Sequence, residues 1–297
     1  MAQQLVNAIA LGSVYTLFSL GLSLSWGILN ILNLAHGAIF MFGAMAAYKV
    51  TDGAGDLPLV VVLVIAALVC GGLAALLELL AFGPIRRRSR DEHDVEMRTL
   101  IASIAATSIL VAIGEMITNH ESVGLSRGVY EVDRFDFVGL NITNIQVVLL
   151  VISLVLSAAL IWFVRSTRHG RALRAVAFDR QTSGLLGVSA GRLGTQAIAL
   201  SGALAGVAGV LLMIYIGAAD ARFGESLLLK AFVVIILAGV GSLEGAVLFA
   251  FALAIVETMV QYYLSADLRD AVAFGLIIIV LLFRPQGLLA RGAVQRA

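Results

Sequence analysis

Long apolar runs separated by islands of arginine dominate this chain, and that alternation restricts its fold more than any other feature. A helix crossing ~30 Å of hydrocarbon needs roughly 20 mostly apolar residues. Windows of that kind run approximately over Leu5–Leu29, Leu34–Val50, Leu57–Phe82, Thr99–Ile117, Ile145–Val164, Leu193–Ile216, Leu227–Val240, Gly245–Leu264 and Ala271–Phe283. Several are short or interrupted by glycine, so about eight to ten membrane segments are expected, some of them broken or re-entrant. The composition agrees. Hydrophobic residues make up 60% and charged residues 13%, against ~25% charged in soluble domains, and the mean hydropathy is +1.00. One globular core cannot hide that excess, and the expected fold class is all-α, a polytopic transmembrane helical bundle.

Arginine placement orients such a bundle, because cytoplasmic loops keep an excess of Lys and Arg. The loop after the third window holds Arg86, Arg87, Arg88, Arg90 and Arg98; that after the fifth holds Arg165, Arg168, Arg171, Arg174, Arg180 and Arg192. Both are expected inside. The intervening loop Thr118–Thr143 sets Arg127 and Arg134 against four carboxylates and is expected outside, while the tail with Arg284, Arg291 and Arg296 reads as cytoplasmic. Counting back through nine spans puts the N-terminus outside. The first basic residue is Lys49, so the run from Leu5 lacks the basic flank of a cleaved signal peptide and reads as a retained membrane segment. With a net charge of +1, nothing points to a nucleic-acid partner.

The motif search excludes much chemistry. A nucleotide-binding P-loop needs a Gly-Lys pair, whereas Lys49 follows Tyr48 and Lys230 follows Leu229. The histidines His36, His93, His120 and His169 are far apart, and none forms a zinc-binding H-E-x-x-H helix. Cys70, the single cysteine, rules out intrachain disulfides and reads as a small buried hydrophobe. The string Gly53-Ala-Gly-Asp56 resembles the G-x-G-D of intramembrane aspartyl proteases. That chemistry needs two carboxylates sharing a proton, and Asp56, just before Pro58, reads as part of a turn instead.

Polar residues inside apolar sequence mark what remains. Asn30, Asn33, His36 and Gly37 interrupt the first half of the chain, and Gly239, Gly241, Ser242, Glu244 and Gly245 interrupt the second. Broken segments in both halves point to a transport pathway, since irregular backbone at membrane depth needs cover from protein or a water-filled cavity. Tight packing of small residues is the competing account of many of the 30 glycines. Glu257 is the most deeply embedded carboxylate, with a pathway role and a structural hydrogen bond as its two explanations. Glu78 and Glu115 lie near span ends and reach the interface. Tyr15, Trp26, Tyr48, Trp162 and Tyr215 read as interfacial anchors. Between the fifth and sixth windows, Arg171 and Arg174 share one face of a short amphipathic helix, and Leu173, Val176 and Ala177 form another, with a glycine-punctuated exit. That helix fits either a soluble partner or an anionic lipid surface.

Four motifs in register carry a resemblance across essentially the whole chain: Leu32-Asn-Leu-Ala-His-Gly37 with Met41-Phe-Gly-Ala44; Gly170–Gly187 leading into Ala199–Val210; Gly239-Val-Gly-Ser-Leu-Glu-Gly-Ala246; and Arg269-Asp-Ala-Val-Ala-Phe274 with Phe283-Arg-Pro-Gln-Gly-Leu288. Together they resemble the LivH-type permease of bacterial branched-chain amino acid ABC importers. Permeases for urea or short amides share two of these signatures and are the alternative within the class. The resemblance implies a single transmembrane permease domain over 1–297 in the bacterial inner membrane, with a cytoplasmic coupling segment at about 165–192. It implies no catalysis in this chain, ATP and magnesium bound by partner subunits, and no cofactor of its own. The implied partners are a second, LivM-like permease, two cytoplasmic ATPases and an external substrate-binding protein. Carried onto this sequence, it assigns Gly170, Arg171, Arg174, Asp179, Gly184 and Gly187 to ATPase coupling. Asn33, His36 and Gly37 are placed by it near the translocation pathway, and Glu257 joins them as a pathway candidate on its depth in the membrane alone.

Overall fold

The computed structural model describes residues 1–29, 32–55, 57–89, 91–125, 129–137, 139–284 and 287–289. Asn30, Asp56, Arg90, Arg127, Arg291 and Arg296 fall outside the described residues. Among the described residues, six helices are long and apolar enough to cross a membrane. These are α1 (Ala2–Leu29), α3 (Leu59–Leu77) with its continuation, α5 (Glu92–Thr118), α6 (Asn144–Ser166), α9 (Ala190–Ile216) and α11 (Leu243–Tyr263). Three more follow the remaining apolar windows: α2 (Ala35–Ala54), α10 (Glu225–Ala238) and α12 (Leu268–Phe283). The 14 residues of α10 rise only about 21 Å, and this helix cannot span alone. Helix α3 runs through a π-helical turn, Glu78–Phe82, into α4 (Gly83–Arg88). Two short helices, α7 (Arg168–Phe178) and α8 (Arg180–Leu185), join α6 to α9.

The bundle has two distinguishable ends. At one, the side chain of Gln3 in α1 donates to Asn141 O, the loop 119–143 pairs Val123 with Ala219 just after α9, and Tyr263 closing α11 reaches Met1. A two-stranded hairpin, β1 (Arg134–Phe137) with β2 (Leu140–Thr143), stands at this end. The hairpin is an addition to the expected all-helical architecture: Gly139, at φ +75°, reverses the chain between two strands too short to stand out in sequence. At the opposite, arginine-rich end sit α4, α7 and α8, the start of α9 beside Leu29, and residues 287–289, whose amides donate to Leu237 O and Ala238 O. Arg165 pairs there with Glu244 at the start of α11.

Small residues let the central helices approach to backbone distance, the usual source of attraction where lipid removes the hydrophobic drive. A Cβ on Gly206 of α9 would lie 2.6 Å from Ala66 O, one on Gly202 2.5 Å from Cys70 O, and Gly43 of α2 abuts Gly206 directly. Helices α2, α3 and α9 therefore close on a shared glycine seam, with Cys70 buried in it and donating to Ile39 O.

Candidate functional site

Two helices begin inside the bundle. The side chain of His36, in the first turn of α2, lies against Phe18 and Gly21 midway along α1 and within 3.5 Å of Ser201 in α9. Asn33 makes this start possible by accepting a hydrogen bond from the Ala35 amide at 3.1 Å, which satisfies a donor that lipid could not. After α9 reaches the hairpin end, residues 217–224 turn back inward and α10 starts with Gly224 packed directly on Gly37. The N-termini of α2 and α10 thus meet at mid-depth and run to opposite ends of the bundle. A small cavity between them is lined by Leu34, Gly37, Thr107, Val111 and Glu225.

The second mid-depth interruption is therefore at 217–224 and not at Gly239–Gly245. That glycine turn lies at the arginine-rich end, where Gly239 and Gly241 adopt positive φ, Gly241 packs on Gly27, and Ser242 caps α11 by accepting from the Gly245 amide. The charges Asp220, Arg222 and Glu225 ahead of an unusually short apolar window were the available signal.

In the same half of the chain lies a cluster of charges. Glu257 Oε2 accepts from the Tyr15 hydroxyl at 2.7 Å, Lys230 Nζ at 2.9 Å and Arg269 Nε at 2.7 Å, and Arg269 Nη2 also donates to the Tyr15 oxygen at 2.7 Å. Glu257 is fully buried, Lys230 and Arg269 are 11% and 26% exposed at their side chains, and Lys230 further approaches Asp270 at 3.4 Å. The cluster ties α1, α10, α11 and α12 together. Tyr15 is thus an interior ligand of Glu257 instead of an interfacial anchor. Glu78 departs from expectation in the same way, being buried and paired with Arg86 across the π-helical turn.

His36 is 0% exposed and enclosed by α1 and α9, Gly37 forms the close approach to α10, and Glu257 stands apart in the ion cluster. Asn33, His36 and Gly37 come together; Glu257 does not join them.

The coupling candidates gather at the arginine-rich end. Leu173 and Val176 of α7 pack on Leu193 and Ala197 of α9, with Ile28 of α1 and Phe163 of α6 beside them. Arg174 Nη1 donates to Val164 O at 2.5 Å and Arg171 Nη1 to Ser166 O at 3.3 Å, so both arginines cap the exposed carbonyls of α6. Gly170 permits this joint, because a Cβ there would overlap the carbonyls of Phe163 and Val164. Asp179 caps α8, accepting from the Thr182 amide at 2.9 Å and hydroxyl at 2.6 Å. Gly187 leaves α8 at φ +84°, and Gly184 faces open space. Beyond this frame Leu185 and Leu186 are 85% and 79% exposed. A cavity of 1010 Å³ opens at the same end between Leu29, Glu78, Arg86, Phe178, Arg180 and Arg192.

Residues 4–281 match the model of the family described as "Branched-chain amino acid transport system / permease component". The chain belongs to this family. The permease is 30% identical to the high-affinity branched-chain amino acid transport system permease protein LivH of Escherichia coli (strain K12), over 99% of this chain and 97% of that protein. It is 31% identical to the corresponding permease protein BraD of Pseudomonas aeruginosa, with the same coverage. The autoinducer 2 import system permease protein LsrC of Klebsiella pneumoniae is similar over a shorter stretch, 33% identical across 44% of this chain. No solved structure matches. The family is a transport component, not an enzyme, and the permease is a multi-pass protein of the inner membrane.

Proposed function

We propose that this permease is the membrane-embedded half of an ATP-driven importer for branched-chain amino acids. The substrate class rests on LivH and BraD, whose names carry it and which are similar to this chain end to end. ATP hydrolysis then belongs to two partner ATPases and substrate capture to an external binding protein, with a second permease subunit completing the pathway. The arginine-rich end faces the cytoplasm and the hairpin end, with the N-terminus, faces outside, in keeping with the positive-inside rule.

The observation that carries the mechanism is the joint between α7–α8 and the bundle. Arg171 and Arg174 tie α7 to the last carbonyls of α6, while Leu173 and Val176 seat it on α9. A displacement applied at α8 therefore moves two spanning helices together. The exposed Leu185 and Leu186 are the grip for the ATPase. Ligand or nucleotide shifts the balance between outward-open and inward-open states only through its different affinity for the two. Replacing both leucines by glutamate in the reconstituted importer should leave the permease folded while abolishing leucine-stimulated ATP hydrolysis and leucine uptake. Undiminished stimulation would refute the coupling role, and uptake of urea but not leucine would refute the substrate class.

A further inference from the structure

The surface of the bundle divides into two unlike parts. Exposed side chains between Val60 and Leu80 on α3, Ile101 and Met116 on α5, and Val147 and Trp162 on α6 carry no charge, as acyl chains require. The face built from the 217–224 turn, α10 and the start of α12 is different. Arg222, Glu225 and Ser226 are exposed there, Leu229 stands beside them, and Lys230 bridges toward the exposed Asp270. Among the described residues, no ion pair reaches the Arg222 guanidinium or the Glu225 carboxylate.

Depth excludes lipid from this face. Glu225 shares its cavity with Thr107 and Val111 of α5, and Thr107 lies roughly 16 Å inside the nearer end of that helix at 1.5 Å per residue. A charge at that depth against hydrocarbon costs several kcal/mol. The turn 217–224 also presents irregular backbone, which does not occur against lipid. Protein or a water-filled cavity must lie over both, and since α10 is too short to span and close such a cavity, its far wall has to be another membrane-embedded subunit.

We infer that the 217–224 turn, α10 and the start of α12 form the face on which the second permease subunit docks. The inference deepens the proposed function and rests on it. Its occupant is the second permease subunit of the proposed importer, a polytopic chain presenting polar groups of both signs to meet Arg222 alongside Glu225 and Asp270. The outer faces of α3 and α6, and the side of α5 turned away from the Thr107–Val111 cavity, are left to lipid.

The test uses the whole importer in native membranes, with a photo-crosslinking benzophenone amino acid placed singly at Ser226 or Leu229, and at Leu154 of α6 or Leu68 of α3 for comparison. Each variant is first checked for leucine uptake, and two positions on each face guard against one that misfolds. Expected are adducts with the second permease subunit from Ser226 and Leu229 at ten-fold or greater yield over Leu154 and Leu68. Lipid adducts alone from Ser226 and Leu229, adducts composed only of this chain, or subunit adducts from Leu154 in an importer that takes up leucine would overturn the inference and leave the function standing. Failure of the unmodified complex to import leucine would instead overturn the function, and this inference with it.

Discussion

Replacing Glu257 by Gln tests whether the buried ion cluster holds the second half of the bundle against the first. Glutamine keeps the volume and removes the charge, leaving Lys230 and Arg269 facing each other with side chains only 11% and 26% exposed. Removing one partner of a buried pair costs about 3–5 kcal/mol because the remaining charge stays in low dielectric. At about 2 °C per kcal/mol for a chain of this size, the apparent Tm should fall by about 6–10 °C. The Lys230→Met/Glu257→Gln double variant strands one cation fewer and should recover part of that loss. Trp26 of α1 meets Phe232 of α10 edge-to-face at 5.9 Å, so tryptophan fluorescence during heating in detergent reports the separation of these helices. A shift under 2 °C for Glu257→Gln, or a double variant less stable than Glu257→Gln alone, would refute the reasoning.

Two further outcomes follow from local geometry. Gly206→Leu should abolish the monodisperse peak in size-exclusion chromatography, since even its Cβ would meet Ala66 O at 2.6 Å, whereas Gly53→Leu, with nothing within 4 Å, should elute unchanged. Asp179→Ala removes the cap of α8 at a cost of about 1 kcal/mol and should speed hydrogen exchange at 182–186 by about five-fold without altering α9.

Hydrophobicity made the nine apolar helices among the described residues legible, six of them long enough to span, because lipid penalises charge on any face it touches. Depth was not legible. Asn33 and His36 announce a break, yet only the contacts with Phe18 and Ser201 show that α2 starts halfway along α1. The 217–224 turn reads as an ordinary loop until Gly224 is seen on Gly37. Tyr15 reads as an interfacial anchor in sequence because its partner, Glu257, is 242 residues away, and no local pattern encodes a pairing of that range. The arginines of α7 were correctly placed on one face, but their engagement of α6 carbonyls depends on a bend that only Gly170 allows.

The shortness of α10 also bears on how the protein is made. Fourteen residues are too few for the insertion machinery to accept as an independent stop, the first of them is Glu225, and the segment ahead of them carries Asp220 and Arg222. Helix α10 must therefore enter the bilayer in company, handed over with α9 or α11, so that biogenesis of this region waits on its neighbours and a ribosome paused between them exposes a segment with no stable place in the membrane.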